Sequence, residues 1–326
     1  MSDTNCRFVI TKEKFGTYSL YRLQDNKTGE YVTILPEFGG SVNSLVLKQN
    51  EELLNIIDGY HSVEDITKNL ITSFKGSNLY PFPNRIEGGK YAFKGHTYHL
   101  ICNFPQENNA IHGLVYDKVF ELISKEDGDF ACNLILRHIT TETISGYPFE
   151  NMIEIHYKWD EQNQFECTTK ITNLSDGSMP VGQGWHPYYT AGNVSVDELY
   201  IQFPSKEILD LNEKGIPTGK KSLYKNFNSL SQLGKTNFDS CFVLDSESEN
   251  AEITIENRKE NITYKIWQQT GINKYNYLQV YTPPSRTSIA IEPMTCAPNA
   301  FNTGDGLIVL APQERISFVW GIKRTV

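Results

Sequence analysis

Hydrophobic and polar residues alternate with a period of two along much of the chain, the pattern of strands with one buried face. In "NMIEIHYKWD" the apolar positions are Ile153, Ile155, Tyr157 and Trp159. After a polar turn, "QFECTTKITN" keeps phase with Phe165, Cys167, Thr169 and Ile171, so the two segments predict a hairpin. "AEITIENRKENITYKIWQQ" repeats the arrangement across a charged turn, and "RISFVWGIK" sets Ile316, Phe318, Trp320 and Ile322 on one face. Helical spacing is clear in "SVEDITKNLITSFKG". Ser62 and Asp65 suit a capping box, Val63, Ile66 and Leu70 share a face, and Gly76 marks the stop.

Many strands, one clear helix and short turns predict an all-β fold, a large antiparallel β-sandwich. No linker, repeat or low-complexity tract divides the 326 residues, so one domain spanning 1–326 is expected. An aromatic content of 12%, with 18 Tyr and 17 Phe, fits the strand reading. The net charge of -9 and the lack of a Lys/Arg block argue against a nucleic-acid partner. "MSDTNCRFVITKEKFG" has no apolar core of signal-peptide length, and no later run approaches a membrane span. We therefore expect no membrane association and a cytoplasmic protein. Cys6, Cys102, Cys132, Cys167, Cys241 and Cys296 are scattered and read as free thiols of a reducing compartment. The sequons at Asn26, Asn173, Asn193 and Asn261 then carry no weight.

Four stretches hold polar groups in unusual company. In "LYPFPNRIEGGKYAF", Asn84 and Arg85 precede a Gly-Gly turn; the arginine could fork onto ligand hydroxyls or be a surface residue at a turn. In "NNAIHGLVYDKVF", His112 stands before Gly113, where the backbone can turn sharply, and is either structural or catalytic. "VGQGWHPYYT" sets His186 among Trp185, Tyr188 and Tyr189, as packed core or as an acid over a flat, hydroxyl-rich ligand. "TSIAIEPMTCAPNAFN" ends an alternating strand on Glu292, either pointing into water or partly desolvated, which raises its pKa and makes it a better base. His96 and His99 lie in a strand-like segment without Cys or Glu companions, and phosphate-cradling and nucleophile-elbow patterns are missing. No metal or cofactor is expected.

In order and spacing these stretches resemble the aldose 1-epimerase (galactose mutarotase-like) family. "NRIEGGKYAFKGHTYHL" is similar to its Asn-Arg-Ile segment, "AIHGLVYDK" to its His-Gly segment and "GYPFENMIEIHY" to its Gly-Tyr-Pro turn. "TNLSDGSMPVGQGWHPYY" resembles the central histidine segment, "NFDSCFVL" the aspartate segment and "IEPMTCAPNAFN" the glutamate segment. The likeness runs from about Gly39 to the end. The short "HGLVYDK" and the bulky Trp185 are most like the aldose 1-epimerase-related branch.

The resemblance implies a galactose mutarotase-like supersandwich with a sugar in an open cleft. It implies interconversion of the α and β anomers of a free aldose, such as galactose or glucose. Carried over position by position, Glu292 is the general base, His186 the general acid and His112 a second histidine near the ring oxygen. Arg85 and Asp239, with Asn84 beside them, hold sugar hydroxyls. Such chemistry needs two groups in opposite protonation states, a carboxylate at Glu292 and an imidazolium at His186, with the neighbouring aromatics covering the sugar. The expected partner is a small sugar, bound by a monomer or homodimer. Two alternatives stay open: a hexose-phosphate 1-epimerase, with Lys118 and Arg286 as candidate rim cations, and a non-catalytic sugar-binding module.

Overall fold

A computed structural model describes residues 6–49, 51–141, 144–162, 164–245 and 247–324. Met1 to Asn5, part of the segment judged for targeting, lie outside the described residues. Strands dominate and are arranged in antiparallel sheets. The predicted hairpin is present: Asn151–Asp160 pairs with Gln164–Asn173, and Trp159 faces Phe165 across it. Asn250–Asn257 and Ile262–Gln269 form the second hairpin. The C-terminal strand Arg315–Arg324 enters between Gln164–Asn173 and Ile262–Gln269, at the middle of a nine-stranded sheet.

A six-stranded sheet faces it, with Tyr188–Tyr189, Ile289–Met294, Tyr277–Tyr281, Asp239–Leu244, Ser205–Leu211 and Pro217–Leu223 in that order. Its inward side chains, including Leu278, Val280, Ile289 and Ile291, share one core cluster with Phe318 and Trp320 of the nine-stranded sheet. Each fully buried Ile or Phe of this cluster stabilises the fold by roughly 1.5–3 kcal/mol before the entropy of ordering is subtracted. Alternation turns every second residue of the six-stranded sheet to its other face. That outer face carries the site. A third sheet of five strands covers residues 8–55 and packs Val32, Ile34 and Leu45 into the same cluster.

The helix runs Val63–Ser73, with the Ser62 side chain accepting from the Asp65 N–H. Ile66 and Leu70 pack on Leu20, Leu35, Phe38 and Tyr60. Its stop differs from expectation. Phe74, not Gly76, takes the left-handed position after the last turn, with φ 48° and its N–H donating to the Leu70 carbonyl. Gly76 serves close packing two residues later, since a Cβ there would lie 2.1 Å from the Val42 carbonyl oxygen. Among the described residues, no helix is long and apolar enough to cross a membrane.

Candidate active site

Glu292 sits in the middle of Ile289–Met294, directly opposite Gln279 of the neighbouring strand, while Asp239 one strand further on lies opposite Tyr281. Ile289 and Ile291 face the core, so the pleat turns Glu292 outward with Gln279. The outer face is nevertheless roofed. Glu292 is 1% exposed, because segments 72–74, 84–85 and 104–112 fold over it.

His186 belongs to the short strand Trp185–His186, paired with Ser77–Asn78. Strand alternation separates its aromatic neighbours. Trp185 points into the core, where its indole N–H donates to Thr169 Oγ1 at 3.2 Å and its ring packs near Trp320. Tyr189 is buried beside Tyr264. Tyr188 turns back to the cavity and stacks on the His186 ring at 5.0 Å. Of the aromatics expected to cover a ligand, Tyr188 does face the cavity, whereas Trp185 and Tyr189 hold the sandwich together.

His112 follows the strand Asn109–Ile111, which pairs with Arg85–Glu87, and its N–H donates to the Asn84 carbonyl at 2.9 Å. The turn is as sharp as the glycine suggested. His112 has φ 61° and Gly113 φ 76°, and a Cβ on Gly113 would lie 2.2 Å from the Tyr80 carbonyl oxygen. Asn84 and Phe74 also have positive φ, so three non-glycine cavity residues hold left-handed backbone. Such residues persist where their surroundings over-determine them, and they cluster at working sites. The Phe74 ring lies 4.7 Å from the His112 ring, which in turn meets His186 edge-on at 5.0 Å.

Together these residues, with Arg85, Phe104, Glu107, Tyr281 and others, line a cavity of about 220 Å³. His186 Nε2 stands 3.4 Å from Glu292 Oε1. Four buried polar atoms in this lining have no protein partner: Nδ1 of His112, Nδ1 of His186, Oε2 of Glu292 and Oε1 of Gln279. Leaving them unpaired is costly, so these atoms call for polar partners that the protein itself does not supply. Burial pushes the His186 imidazole down to about 4 and holds His112 well below its ordinary range, the latter also disfavoured by the charges of His186 and Arg85. Burial and the nearby Asp239 push Glu292 well above the usual carboxylate range, while Arg85 opposes them. The protein surroundings therefore favour a neutral acid and a neutral imidazole, the reverse of the charges expected from sequence, because both groups are desolvated more than they are paired.

Arg85 is less free than a ligand-seeking fork. Its Nε donates to Glu107 Oε2 at 2.7 Å, Nη2 to Glu107 Oε1 at 3.4 Å and Nη1 to Asn84 Oδ1 at 3.2 Å. Nη2 also lies 4.0 Å from Asp239 Oδ2 across the cavity mouth. Asp239 is half exposed there and accepts from the Gln279 amide at 2.7 Å. Asn84, Arg85, His112, His186, Asp239 and Glu292 thus converge on one cavity.

Sequence reasoning missed Gln279, Glu107 and Phe74. Gln279 had a signal, a polar residue in phase with Tyr277 and Tyr281 on a strand; Glu107 lies in an irregular loop with none. Neither rim cation proposed for a phosphate lines this cavity. Lys118 pairs with its neighbour Asp117 at 3.0 Å and borders a separate groove. Arg286 is held by Asp197 and by the carbonyls of Gly234 and Thr236. His96 and His99 are exposed on a hairpin, and among the described residues no group of three or more His, Cys, Asp or Glu could hold a metal.

Known proteins share this architecture. The structure is similar to a galactose mutarotase-like protein from Clostridium acetobutylicum, with TM-score 0.83 and 20% identity, covering 98% of this chain and 99% of that one. It is also similar to galactose 1-epimerase from Lactobacillus acidophilus NCFM, with TM-score 0.78 and 17% identity, covering 98% of each chain. In sequence, the uncharacterized protein YihR of Escherichia coli (strain K12) is 28% identical over 240 residues, 72% of this chain and 74% of that protein. Residues 19–323 match the aldose 1-epimerase family, more than the stretch from Gly39 on which the resemblance was first seen. The chain belongs to the aldose 1-epimerase family.

Proposed function

We propose that the protein is an aldose 1-epimerase that interconverts the anomers of a free aldose by general acid–base ring opening. The observation that carries this reading is the buried pair of His186 Nε2 and Glu292 Oε1, 3.4 Å apart in a cavity where four buried polar atoms lack protein partners. Ring opening takes a proton from the anomeric hydroxyl and gives one to the ring oxygen. With Glu292 as base and His186 as acid, the pair starts as carboxylate and imidazolium and ends as carboxylic acid and imidazole. Rotation about the bond to C1 and reclosure on the other aldehyde face reverse the transfer. Glu292 gains one proton from the substrate and His186 gives one to it, so none is gained or lost overall.

Burial biases the pair toward its neutral form, which is its state opposite the open-chain aldehyde. The Arg85 charge and the sugar hydroxyls favour the ionic form opposite the closed ring. Opposed biases keep both states within reach, as a reversible proton exchange requires. His112, kept neutral by burial, serves as a second imidazole for the ring oxygen or a hydroxyl. Arg85, Asn84 and Asp239 hold hydroxyls and stop the open chain from leaving.

The charge balance supports an unphosphorylated substrate. Arg85 is the one Lys or Arg among the lining residues, it is already bonded to Glu107, and Asp239 and Glu292 add further acidity. A phosphate dianion would meet no uncommitted cation there. The test is NMR exchange spectroscopy or polarimetry over a panel of free and phosphorylated aldoses. Acceleration of anomer exchange for at least one free aldose is expected. Binding without acceleration across the panel would instead make this a sugar-binding module.

A further inference from the structure

We propose that Glu107 is a positioning residue for sugar binding, holding the Arg85 guanidinium in one orientation so that its remaining N–H groups face the cavity; this rests on the sugar-binding reading above. Glu107 takes Nε and Nη2 through both carboxylate oxygens, the paired geometry in which arginine is best oriented. Asn84 Oδ1 takes one hydrogen of Nη1. Of five guanidinium N–H groups, one on Nη1 and one on Nη2 are left for a ligand.

The holder has a second wall. The Asn109 amide bridges Glu107 Oε2 at 3.4 Å and the Lys214 carbonyl at 3.1 Å, tying the loop to the turn between Ser205–Leu211 and Pro217–Leu223. Gly215 in that turn has φ 68°, and a Cβ on it would lie 2.7 Å from Arg85 Cζ. The turn therefore rests on the guanidinium itself. Loop, turn and Asn84 confine the cation on three sides, and its open side is the cavity, where Asp239 Oδ2 stands 4.0 Å from Nη2. A hydroxyl between Nη2 and Asp239 would accept from one and donate to the other. Without Glu107 the long arginine side chain is free to close on Asp239 and fill that gap.

The experiment compares wild type with Glu107→Gln, Glu107→Asp and Gly215→Ala, each checked by thermal unfolding. Two readouts are taken. One is the exchange rate of the Arg85 Nε–H with water by NMR, identified by its loss in Arg85→Lys. The other is steady-state anomerisation. Glu107→Gln should speed Nε–H exchange and raise KM at least ~10-fold with kcat changed less than ~3-fold, the signature of lost uniform binding. Glu107→Asp, which keeps the charge, should recover part of both. Gly215→Ala, which pushes on the guanidinium from the other side, should raise KM with Glu107 intact. A KM within about twofold of wild type for Glu107→Gln, or a loss confined to kcat, overturns the proposal. If no aldose is turned over by wild type, the proposed function fails, while an unchanged Nε–H exchange in Glu107→Gln still sinks the positioning role separately.

Discussion

Glu292 Oε1 and His186 Nε2 lie 3.4 Å apart with both side chains almost wholly buried, so neither titrates independently of the other. Desolvation drives the carboxyl up and the imidazole down, which places the pair's one proton on Glu292 and keeps the imidazole neutral. The relationship is sensitive to any change that restores charge to either partner. Glu292→Gln and His186→Asn each remove one end of the transfer. Both variants should lose at least ~100-fold in anomerisation rate with their circular dichroism unchanged. A folded variant with near wild-type turnover would remove that residue from the chemistry.

The same burial predicts a stability effect with a definite sign. Glu292 is raised in the folded protein, so as pH climbs past 4.5 the unfolded chain releases this proton first and stability falls. Glu292→Gln has no such proton. Its stability relative to wild type should therefore increase as pH rises above about 4.5 in urea denaturation series. His186 runs the other way. The unfolded chain takes up its proton below 6.5 and the folded protein only near 4, so wild type loses stability across that window and His186→Asn is spared this loss. Differences independent of pH would mean that both groups ionise normally in the fold.

How far these features were readable from sequence depends on what a period of two can encode. Alternation assigns each residue to a face, so the strands holding Trp159, Phe165, Ile255 and Trp320 were legible, whereas the two-residue strand Trp185–His186 is too short to show the pattern and Trp185 looked able to cover a ligand. It does not name the neighbour across a sheet. The insertion of Arg315–Arg324 between two hairpins depends on pairings between segments far apart in the chain, and the register that sets Gln279 against Glu292 depends on how the irregular connection 282–288 closes. Nor does it tell which second face is roofed. Glu292 looked able to point into water; its burial comes from the end of the helix at 72–74 and from the segment 104–112, whose placement over this face no periodic pattern encodes. Glu107 was invisible for the same reason, since its partner Arg85 meets it only when Asn109–Ile111 pairs with Arg85–Glu87.

Trp185 tests the division between core and cavity. Its ring contacts Tyr157 and Trp320 and its N–H bonds Thr169, all on the side away from the cavity. Trp185→Phe should cost about 1–3 kcal/mol of stability through lost packing and the lost indole hydrogen bond to Thr169. KM for the aldose should change less than about twofold, because nothing in uniform binding is removed. A large rise in KM with unaltered stability would place the indole against the sugar.

Arg85 and Asp239 should move the pH profile in opposite directions. Both act on Glu292 through charge as well as on sugar hydroxyls: Asp239 raises its pKa and Arg85 lowers it. The alkaline limb of kcat/KM reports the free one-proton pair losing its remaining proton, which burial places on Glu292. In Asp239→Asn the repelling carboxylate is gone, the base form is reached sooner and the limb moves to lower pH. In Arg85→Ala the stabilising cation is gone and the limb moves to higher pH. Arg85→Ala should also raise KM ~10-fold or more, since it removes charge-assisted hydrogen bonds to hydroxyls. The measurement is the rate of anomer exchange against pH for both variants and wild type on one aldose, at fixed ionic strength, because screening would blunt both shifts. Limbs that move the same way, or that stay in place while KM rises, would separate hydroxyl binding from the tuning of Glu292. Limbs that diverge make Arg85 and Asp239 a matched pair of charges, set on either side of the cavity mouth to hold the buried carboxyl near the balance that proton exchange requires.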